Sequence, residues 1–201
     1  MSVNLKKGQK VNLSKERYGL SKVMVGLGWD EVKQKRGWFA PKPQDIDCDA
    51  FAILLGYDGK VLNHTNSLKE CTVFFNNLRW WNGSIQHMGD NLTGAGDGDD
   101  EQIFVDLNNV PSEVGSIVFA VNIYEAFTRN QHFGMIENAF IRVVDHERQI
   151  ELCRFNLSEN YNNQTALIAG GLIRGEDGWE FVTDGTAARV KDLTQVVAAF
   201  A

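Results

Sequence analysis

The segment SIVFAVNIY, residues 116–124, decides the fold class, because its large apolar side chains alternate with smaller or polar ones. Ile117, Phe119, Val121 and Ile123 occupy every second position, and such positions share one face of an extended strand. Runs of strand length recur on both sides of this segment, among them KVMVGLGW, AFAILLGY, TVFFNN, QIFVDL, AFIRVVD and QIELCRFNL. About ten short strands at regular spacing predict an all-β protein, a two-sheet antiparallel β-sandwich with few short helices.

Turn residues divide these runs. Tyr-Asp-Gly-Lys at 57–60 predicts a hairpin with a return strand, and residues 175–178 predict a second hairpin. VNLKKGQKVNL predicts two short strands around Gly8, and a short helix or loop is expected near residues 126–136. A C-terminal amphipathic helix is predicted, because four apolar residues recur there at helical spacing: Val190, Leu193, Val197 and Phe200.

The composition excludes several functional classes. The chain has 201 residues, is 43% hydrophobic and carries a net charge of −6, which argues against binding to nucleic acid or to an anionic membrane surface. Three widely spaced cysteines without a C-x-x-C pair argue against a disulfide framework or structural zinc, and Cys71 and Cys153 are interpreted as core residues.

We find no linker or repeat and expect one domain over residues 1–201.

The location of the protein is predicted from what the sequence lacks. MSVNLKKGQKVNLSK at the start has no apolar run long enough for a signal peptide. No stretch approaches the roughly 18 apolar residues of a spanning helix, so direct insertion into a membrane is not expected. We therefore expect a soluble, intracellular protein.

The negative charge is concentrated in GDNLTGAGDGDDEQI, residues 89–103, which holds five carboxylates within the twelve residues 90–101. No Lys or Arg occurs in the 49 residues from Trp80 to Thr128. Glycine lets the backbone turn tightly, and carboxylate and carbonyl oxygens without His or Cys are typical ligands of a hard cation. This segment therefore predicts a site for calcium rather than for magnesium. The alternative is a solvated acidic loop that binds no metal.

A second acidic cluster precedes an apolar strand, where Asp45, Asp47 and Asp49 alternate in QDIDCDAF. In extended chain the three side chains project to one side. We predict that both clusters meet around shared ions at one end of the sandwich, with Asp30 of GLGWD as a further ligand. The alternative for the second cluster is a polar lead-in to the strand. Neither the EF-hand pattern nor a tandem GxGxD repeat fits these segments.

Several segments taken together resemble the bacterial tellurium-resistance TerD stress-protein family. They are SVNLKKGQKVNL at 2–13, GLGWD at 26–30, DID at 45–47, FFNN at 74–77, GDNLTGAGDGDDE at 89–101 and FGMIENAFIRV at 133–143. The matches follow the same order along most of the chain. The resemblance implies a TerD-like β-sandwich domain that binds one or two Ca²⁺ ions through its acidic loops. Its acidic signature falls on Asp90, Asn91, Asp97, Asp99, Asp100 and Glu101, and its aspartate pair on Asp45 and Asp47.

The resemblance also implies a role in stress response and tellurite resistance, without an established enzymatic activity. The implied partners are other stress-resistance proteins and an integral-membrane protein, in complexes at the cytoplasmic side of the membrane. One departure is Ala95, where the family commonly has Glu; Asp49 stands where a small residue is common and would compensate if it faced the ion. With Asp30, the predicted metal ligands number nine: Asp30, Asp45, Asp47, Asp90, Asn91, Asp97, Asp99, Asp100 and Glu101.

A metal-dependent phosphotransfer or hydrolytic enzyme, using Mg²⁺ or Ca²⁺, is the alternative function. The sequence has no GxxxxGK[ST] phosphate loop, and its four histidines are scattered singly. His87, three residues before Asp90, is the one histidine close in sequence to the acidic segment. We interpret it as a surface residue, the alternative being a ligand or base.

Overall fold

The structure, a computed structural model, describes residues 2–13, 20–31, 45–80, 82–89, 98–157 and 161–201. Within those ranges the chain forms thirteen strands: β1 (Val3–Leu5), β2 (Lys10–Asn12), β3 (Lys22–Glu31), β4 (Cys48–Leu55), β5 (Thr72–Val73), β6 (Arg79–Trp80), β7 (Ile85–His87), β8 (Glu101–Asp106), β9 (Ser116–Ile123), β10 (Ile136–Asp145), β11 (Ile150–Asn156), β12 (Ala166–Gly175) and β13 (Gly178–Ala188).

The strands form two sheets. Sheet A has the order β1-β11-β10-β3-β8-β7-β6, and sheet B has the order β2-β13-β12-β9-β4-β5. All pairs are antiparallel except β1 with β11, which is parallel. The predicted two-sheet sandwich is therefore confirmed, with one parallel pair at an edge of sheet A.

The core lies between the two sheets and follows the alternation of their strands. In β9, Ile117, Phe119, Val121 and Ile123 all belong to this core and are buried, as the sequence pattern predicts. Residues of β9 between them face the opposite side of sheet B. A second apolar cluster covers that outer side and contains Phe51, Ile53 and Ala120 together with residues of the C-terminal helix.

Helices are few and short in the described ranges: α1 (Leu68–Cys71), α2 (Ala126–Arg129) and α3 (Leu193–Ala198), with 3₁₀ turns at Leu62–His64 and Phe133–Met135. Helix α3 is the predicted C-terminal helix, and it buries Val196 and Val197 against the outer face of sheet B. The three cysteines are buried and form no disulfide. None of the described helices has the length and apolar character needed to cross a bilayer.

One local prediction was wrong, and the two predicted N-terminal strands exist. The turn at 57–60 exists, but the expected return strand is reduced to one bridge between Leu55 and Val61. Val61 instead donates its backbone N–H to the carbonyl of Phe200, at 2.7 Å. The N-terminal strands β1 and β2 do not pair with each other, because β1 joins sheet A and β2 joins sheet B.

The strand registers bring several acidic segments to one end of the sandwich, here called the acidic end. The end of β3 lies beside the start of β8, because Leu27 pairs with Glu101. The start of β4 lies beside the end of β9, because Asp49 pairs with Asn122. His87 connects the two sheets at this end, since its side chain on β7 reaches the carbonyl of Ala50 on β4.

Candidate functional site

Asp99 lies on the outer face of sheet A. Its carboxylate accepts hydrogen bonds from Arg142, with Nε 2.7 Å from Oδ1 and Nη2 2.9 Å from Oδ2. Gln102 donates a third hydrogen bond, at 3.2 Å. Arg142 and Gln102 both pair with Gly26 across the sheet, and an added Cβ on Gly26 would overlap the Asp99 carboxylate. This glycine of the GLGWD segment therefore makes room for an ion pair with a residue distant in sequence.

The guanidinium of Arg142 is shared with Glu151. Arg142 Nη1 lies 3.3 Å from Glu151 Oε2, and Arg154 donates to the same oxygen at 3.2 Å. Ser2 donates its hydroxyl to the other Glu151 oxygen, at 2.6 Å. The outer face of sheet A thus carries a polar network that links Asp99 to the N-terminal segment.

Glu101 points the other way, into the space between the sheets. Its Oε2 lies 2.9 Å from His87 Nε2, and both side chains are almost completely buried. The same nitrogen lies 3.1 Å from the carbonyl oxygen of Ala50, while Nδ1 accepts a hydrogen bond from the N–H of Gly89 at 3.2 Å. Because Nδ1 acts as an acceptor, the geometry assigns the ring proton to Nε2 of a neutral imidazole. His87 is therefore buried, and the predicted surface position was wrong.

Asp100 lies between these two residues, at the point where β8 begins. Its backbone N–H donates to the carbonyl of Leu27, and its Oδ2 accepts the backbone N–H of Trp29, both at 2.8 Å. Burial raises the pKa of the Asp100 carboxyl, and the negative charges of Asp30, Glu101 and Asp99 raise it further, against the lowering effect of the Trp29 hydrogen bond. Three carboxylates are thus close enough to Asp100 to disfavour its ionised form.

The other predicted ligands are distributed around the same end. Asp30 is exposed and accepts a hydrogen bond from Asn138 at 2.8 Å. Asp47 Oδ2 lies 3.9 Å from Nη1 of Arg129, and the backbone carbonyl of Asp45 accepts a hydrogen bond from a glutamine side chain. Asp90, Asn91 and Asp97 lie outside the described residues.

Asp49 is buried on the outer face of sheet B. It alternates with Cys48 and Ala50, which belong to the core between the sheets, and shares its side with Phe51 of the outer cluster. This position is turned away from Glu101, whose side chain lies between the sheets. The described geometry therefore gives no support to Asp49 as a substitute for the missing family carboxylate.

Among the residues described, no group of three or more His, Cys, Asp or Glu side chains is close enough to hold a metal ion. The structure brings Asp30, Asp99, Asp100 and Glu101 within electrostatic range, but it directs Asp99 and Glu101 to opposite faces of sheet A. Each of these two carboxylates has a nitrogen partner. Asp100 is consequently the centre of the candidate site.

Sequence reasoning missed the partners of these carboxylates, namely Arg142, Arg129 and His87. Arg142 alternates with the core residues Ile141 and Val143 on β10, which places it on the outer face. Arg142 pairs with Gly26 across the sheet, and this glycine was the available signal that a bulky side chain lies over it. His87 is close in sequence to the acidic segment, but no signal in the sequence shows its burial, which depends on a strand of the opposite sheet.

The fold and the carboxylate-rich strand ends define a class of protein, the two-sheet sandwich with an acidic end. The TerD domain family matches residues 1–200, and the chain belongs to this family. The chain is 42% identical to the stress response protein SCP2 of Bacillus subtilis over 204 residues, covering 100% of both proteins. It is 44% identical to the tellurium resistance protein TerD of Serratia marcescens, covering 90% of this chain and 88% of that protein.

Solved structures share the fold. A homologue of telluride resistance protein (TerD) from Streptomyces coelicolor A3(2) superposes with a TM-score of 0.64 at 20% identity, covering 91% of this chain and 99% of that chain. A crystal structure of a protein of unknown function gives a TM-score of 0.68 at 22% identity over the same share of each chain. The family is thus one of stress-response and tellurium-resistance proteins.

Proposed function

We propose that this protein is a calcium-binding module of the stress response and of tellurite resistance, and that it acts through interactions with other proteins. Family membership supports the stress role, because the similar proteins carry stress-response and tellurium-resistance names. The resemblance supports a cytoplasmic location and partners among other stress-resistance proteins, including an integral-membrane protein. Attachment at the inner face of the membrane would then occur through that partner.

The observation that carries the calcium proposal is the environment of Asp100. Its carboxylate is buried and lies within electrostatic range of three further carboxylates, and burial followed by their charges raises its pKa. Ionised Asp100 therefore costs folding free energy unless a positive charge offsets the repulsion. A divalent cation at the start of β8 would supply that charge.

The donor chemistry fits calcium in part. Asp100 and Asp30 offer carboxylate oxygens, which are the ligands that calcium prefers. Asp99 and Glu101 are held by Arg142 and His87, so in this arrangement they act mainly on the shape and charge of the site. The resemblance assigns further ligands to Asp90, Asn91 and Asp97, which lie outside the described residues. Bound calcium would neutralise the acidic end and link its loops.

Calorimetric titration with Ca²⁺ and Mg²⁺, together with thermal melts, tests this proposal. Ligand linkage predicts stabilisation of about 2.7 kcal/mol at a hundredfold excess of calcium over its Kd. Asp100→Asn should reduce both the heat of binding and this stabilisation. The matched control is Asp177→Asn, which removes one exposed carboxylate from the hairpin between β12 and β13 at the opposite end of the sandwich.

The proposal fails if the wild-type protein shows neither calcium binding nor calcium-dependent stabilisation. The assignment of Asp100 as the centre of the site fails if Asp100→Asn binds calcium as tightly as Asp177→Asn does. Magnesium binding of equal strength would reject the assignment of calcium, because an oxygen-rich, glycine-rich sequence is expected to suit the larger ion.

A further inference from the structure

The pair of Arg142 and Asp99 occupies a carboxylate of the acidic segment that would otherwise be open to a metal ion. Nε and Nη2 of Arg142 bind the two oxygens of Asp99 at 2.7 and 2.9 Å, and Gln102 donates to Oδ2 at 3.2 Å. A carboxylate has about four lone-pair positions, so these hydrogen bonds fill most of them. Asp99 therefore cannot bind a metal ion through both oxygens while Arg142 stays in place.

Burial makes a positive partner obligatory for Asp99. Its side chain has no solvent-exposed surface, whereas the side chain of Arg142 is 25% exposed. A buried carboxylate without a compensating cation is costly, because water cannot reach its charge. Within the described part of the chain, the cation in contact with Asp99 is Arg142. A divalent metal ion at this end of the sandwich would supply the same charge, and the two cations would compete for one carboxylate.

Further oxygen atoms lie beside Asp99 on the outer face of sheet A. Gly26, Gly28 and Asp30 are alternate residues of β3, and the residues between them belong to the core. An added Cβ on Gly26 would lie 2.3 Å from Asp99 Oδ1, and one on Gly28 would lie 2.7 Å from the carbonyl oxygen of Gly98. The two glycines thus let a carboxylate and a carbonyl lie directly on the strand that ends at the exposed Asp30. Carboxylate and carbonyl oxygens are the donors that calcium prefers.

Both members of the pair keep a partner when they separate. Arg142 Nη1 lies 3.3 Å from Glu151 Oε2, so a guanidinium that leaves Asp99 still has a carboxylate beside it. Gln102 can continue to donate its hydrogen bond to Asp99. Exchange of Arg142 for a metal ion would therefore leave neither charge unpaired.

We propose that Arg142 is a built-in competitor of calcium, which holds Asp99 in the metal-free protein and must release it before Asp99 binds the ion. This inference rests on the calcium function proposed above and adds the regulation of that site. If Asp99 is free of Arg142 in about a tenth of the molecules, the apparent Kd for calcium is about tenfold higher than that of the open site. The released guanidinium stays with Glu151, so calcium binding changes a contact on the outer face of sheet A.

Calorimetric titration of the full-length protein with Ca²⁺ tests the competition. Arg142→Met should tighten calcium binding roughly five- to tenfold, because the competitor is gone. The same variant should melt at a lower temperature in EDTA, because the metal-free protein loses the pair. A purely structural role of Arg142 predicts weaker or unchanged calcium binding instead. Arg142→Lys keeps the charge but loses the planar fork, so it should tighten binding by a smaller factor.

Two controls separate competition from a general effect of charge. Arg154 is the cross-strand neighbour of Arg142, is 30% exposed and donates to Glu151. Arg154→Met therefore removes a nearby positive charge without freeing Asp99, and its Kd for calcium should stay within about twofold of wild type. In the Asp99→Asn background, Arg142→Met should give no tightening, because ligand and competitor act through the same carboxylate.

A measurement on the wild-type protein does not depend on the folding of any variant. In ¹H–¹⁵N spectra, the Nε–H resonance of Arg142 should shift as calcium is added, because Nε loses Asp99 as its acceptor. Its assignment comes from the side-chain carbons of the same residue.

Calcium binding by wild type without tightening in Arg142→Met would overturn the competition and leave the calcium function standing. Equal tightening by Arg142→Met and Arg154→Met would also overturn it, since the loss of charge alone would then explain both. An Arg142 Nε–H resonance that stays unchanged at saturating calcium contradicts the release of Asp99. Absence of calcium binding by wild type and by both variants would remove the proposed function and this inference together.

Discussion

Asp99 and Glu101 are two residues apart, yet their carboxylates are stabilised in different ways on the two faces of sheet A. On the outer face, Asp99 accepts two hydrogen bonds from one edge of the Arg142 guanidinium, which is partly exposed and is shared with Glu151. Between the sheets, Glu101 meets a neutral imidazole and almost no solvent. The outer pair is a bidentate, charge-assisted contact, whereas the inner pair depends on a single nitrogen.

The comparison teaches that carboxylates crowded in a sequence need not be crowded in the folded protein. Strand alternation sends Asp99 and Glu101 to opposite faces, where residues from distant segments meet them. Asp100 lies between the faces, and its pKa is raised first by burial and then by its negative neighbours. The strength of a metal site here should therefore depend more on Asp100 than on the number of acidic residues in the segment.

The largest effect is expected from His87→Ala, which leaves the Glu101 carboxylate buried without its imidazole. We expect a loss of about 3 kcal/mol in the free energy of unfolding, measured by urea denaturation, because the buried Glu101 carboxylate and the Ala50 carbonyl both lose a nearby nitrogen. His64→Ala is the control, because His64 is exposed and its ion-pair contact, 3.4 Å to Asp58, is also exposed. A loss of less than about 1 kcal/mol would show that Glu101 does not depend on His87.

A smaller effect is expected from Arg142→Met on the outer face. The Asp99 carboxylate would lose two hydrogen bonds but keep that of Gln102, and water can reach the exposed part of the site. We expect a loss of about 2 kcal/mol in the same measurement. Lys10→Met breaks an exposed ion pair with Glu180 and should cost less than about 1 kcal/mol. Equal losses in the two variants would contradict the buried, bidentate description of Asp99.

The smallest effect concerns Glu151, which shares Arg142 with Asp99. Burial acts to raise the pKa of this carboxyl, but hydrogen bonds from Ser2, Arg154 and Arg142 outweigh it, so the pKa falls below its ordinary value of 4.5. A lowered folded pKa means that the stabilisation is present above pH 4.5 and is lost as the pH falls through the folded value.

Glu151→Gln should therefore be less stable than wild type by about 0.5–1 kcal/mol at pH 7, with the difference shrinking in more acidic buffer. Denaturation at a series of pH values measures this difference. Glu176→Gln, at an exposed position in the turn after β12, should behave like wild type throughout. A difference for Glu151→Gln that does not change with pH would assign its effect to lost packing instead of lost charge.

Most of the fold could be predicted from the sequence, because the relevant information is local. The alternation in β9 and the turn at 175–178 both specify their structures within a few residues, and both predictions are confirmed. The absence of the expected return strand after residue 60 could not be predicted, because the backbone partner of Val61 is Phe200 at the far end of the chain. The separate destinations of β1 and β2 have the same cause, since each pairs with a strand from the last third of the chain.

The candidate site was less accessible to sequence reasoning. The acidic segments and their common end of the sandwich follow from the pattern of strands and turns. The pattern does not show which carboxylates are already paired, because their partners Arg142, Arg129 and His87 reach them only in the folded protein. The role of the predicted residues as metal ligands stays a prediction that calcium titration will decide.

Each sheet begins and ends with a very short strand. Within the described ranges, the edge strands are β1 and β6 in sheet A and β2 and β5 in sheet B, and their lengths are three, two, three and two residues. Such short edges are poor templates for adding a strand from another molecule. We therefore expect the sheets of neighbouring molecules not to join edge to edge, which would limit aggregation. Recognition of other proteins would then use side chains at the ends and on the faces of the sandwich.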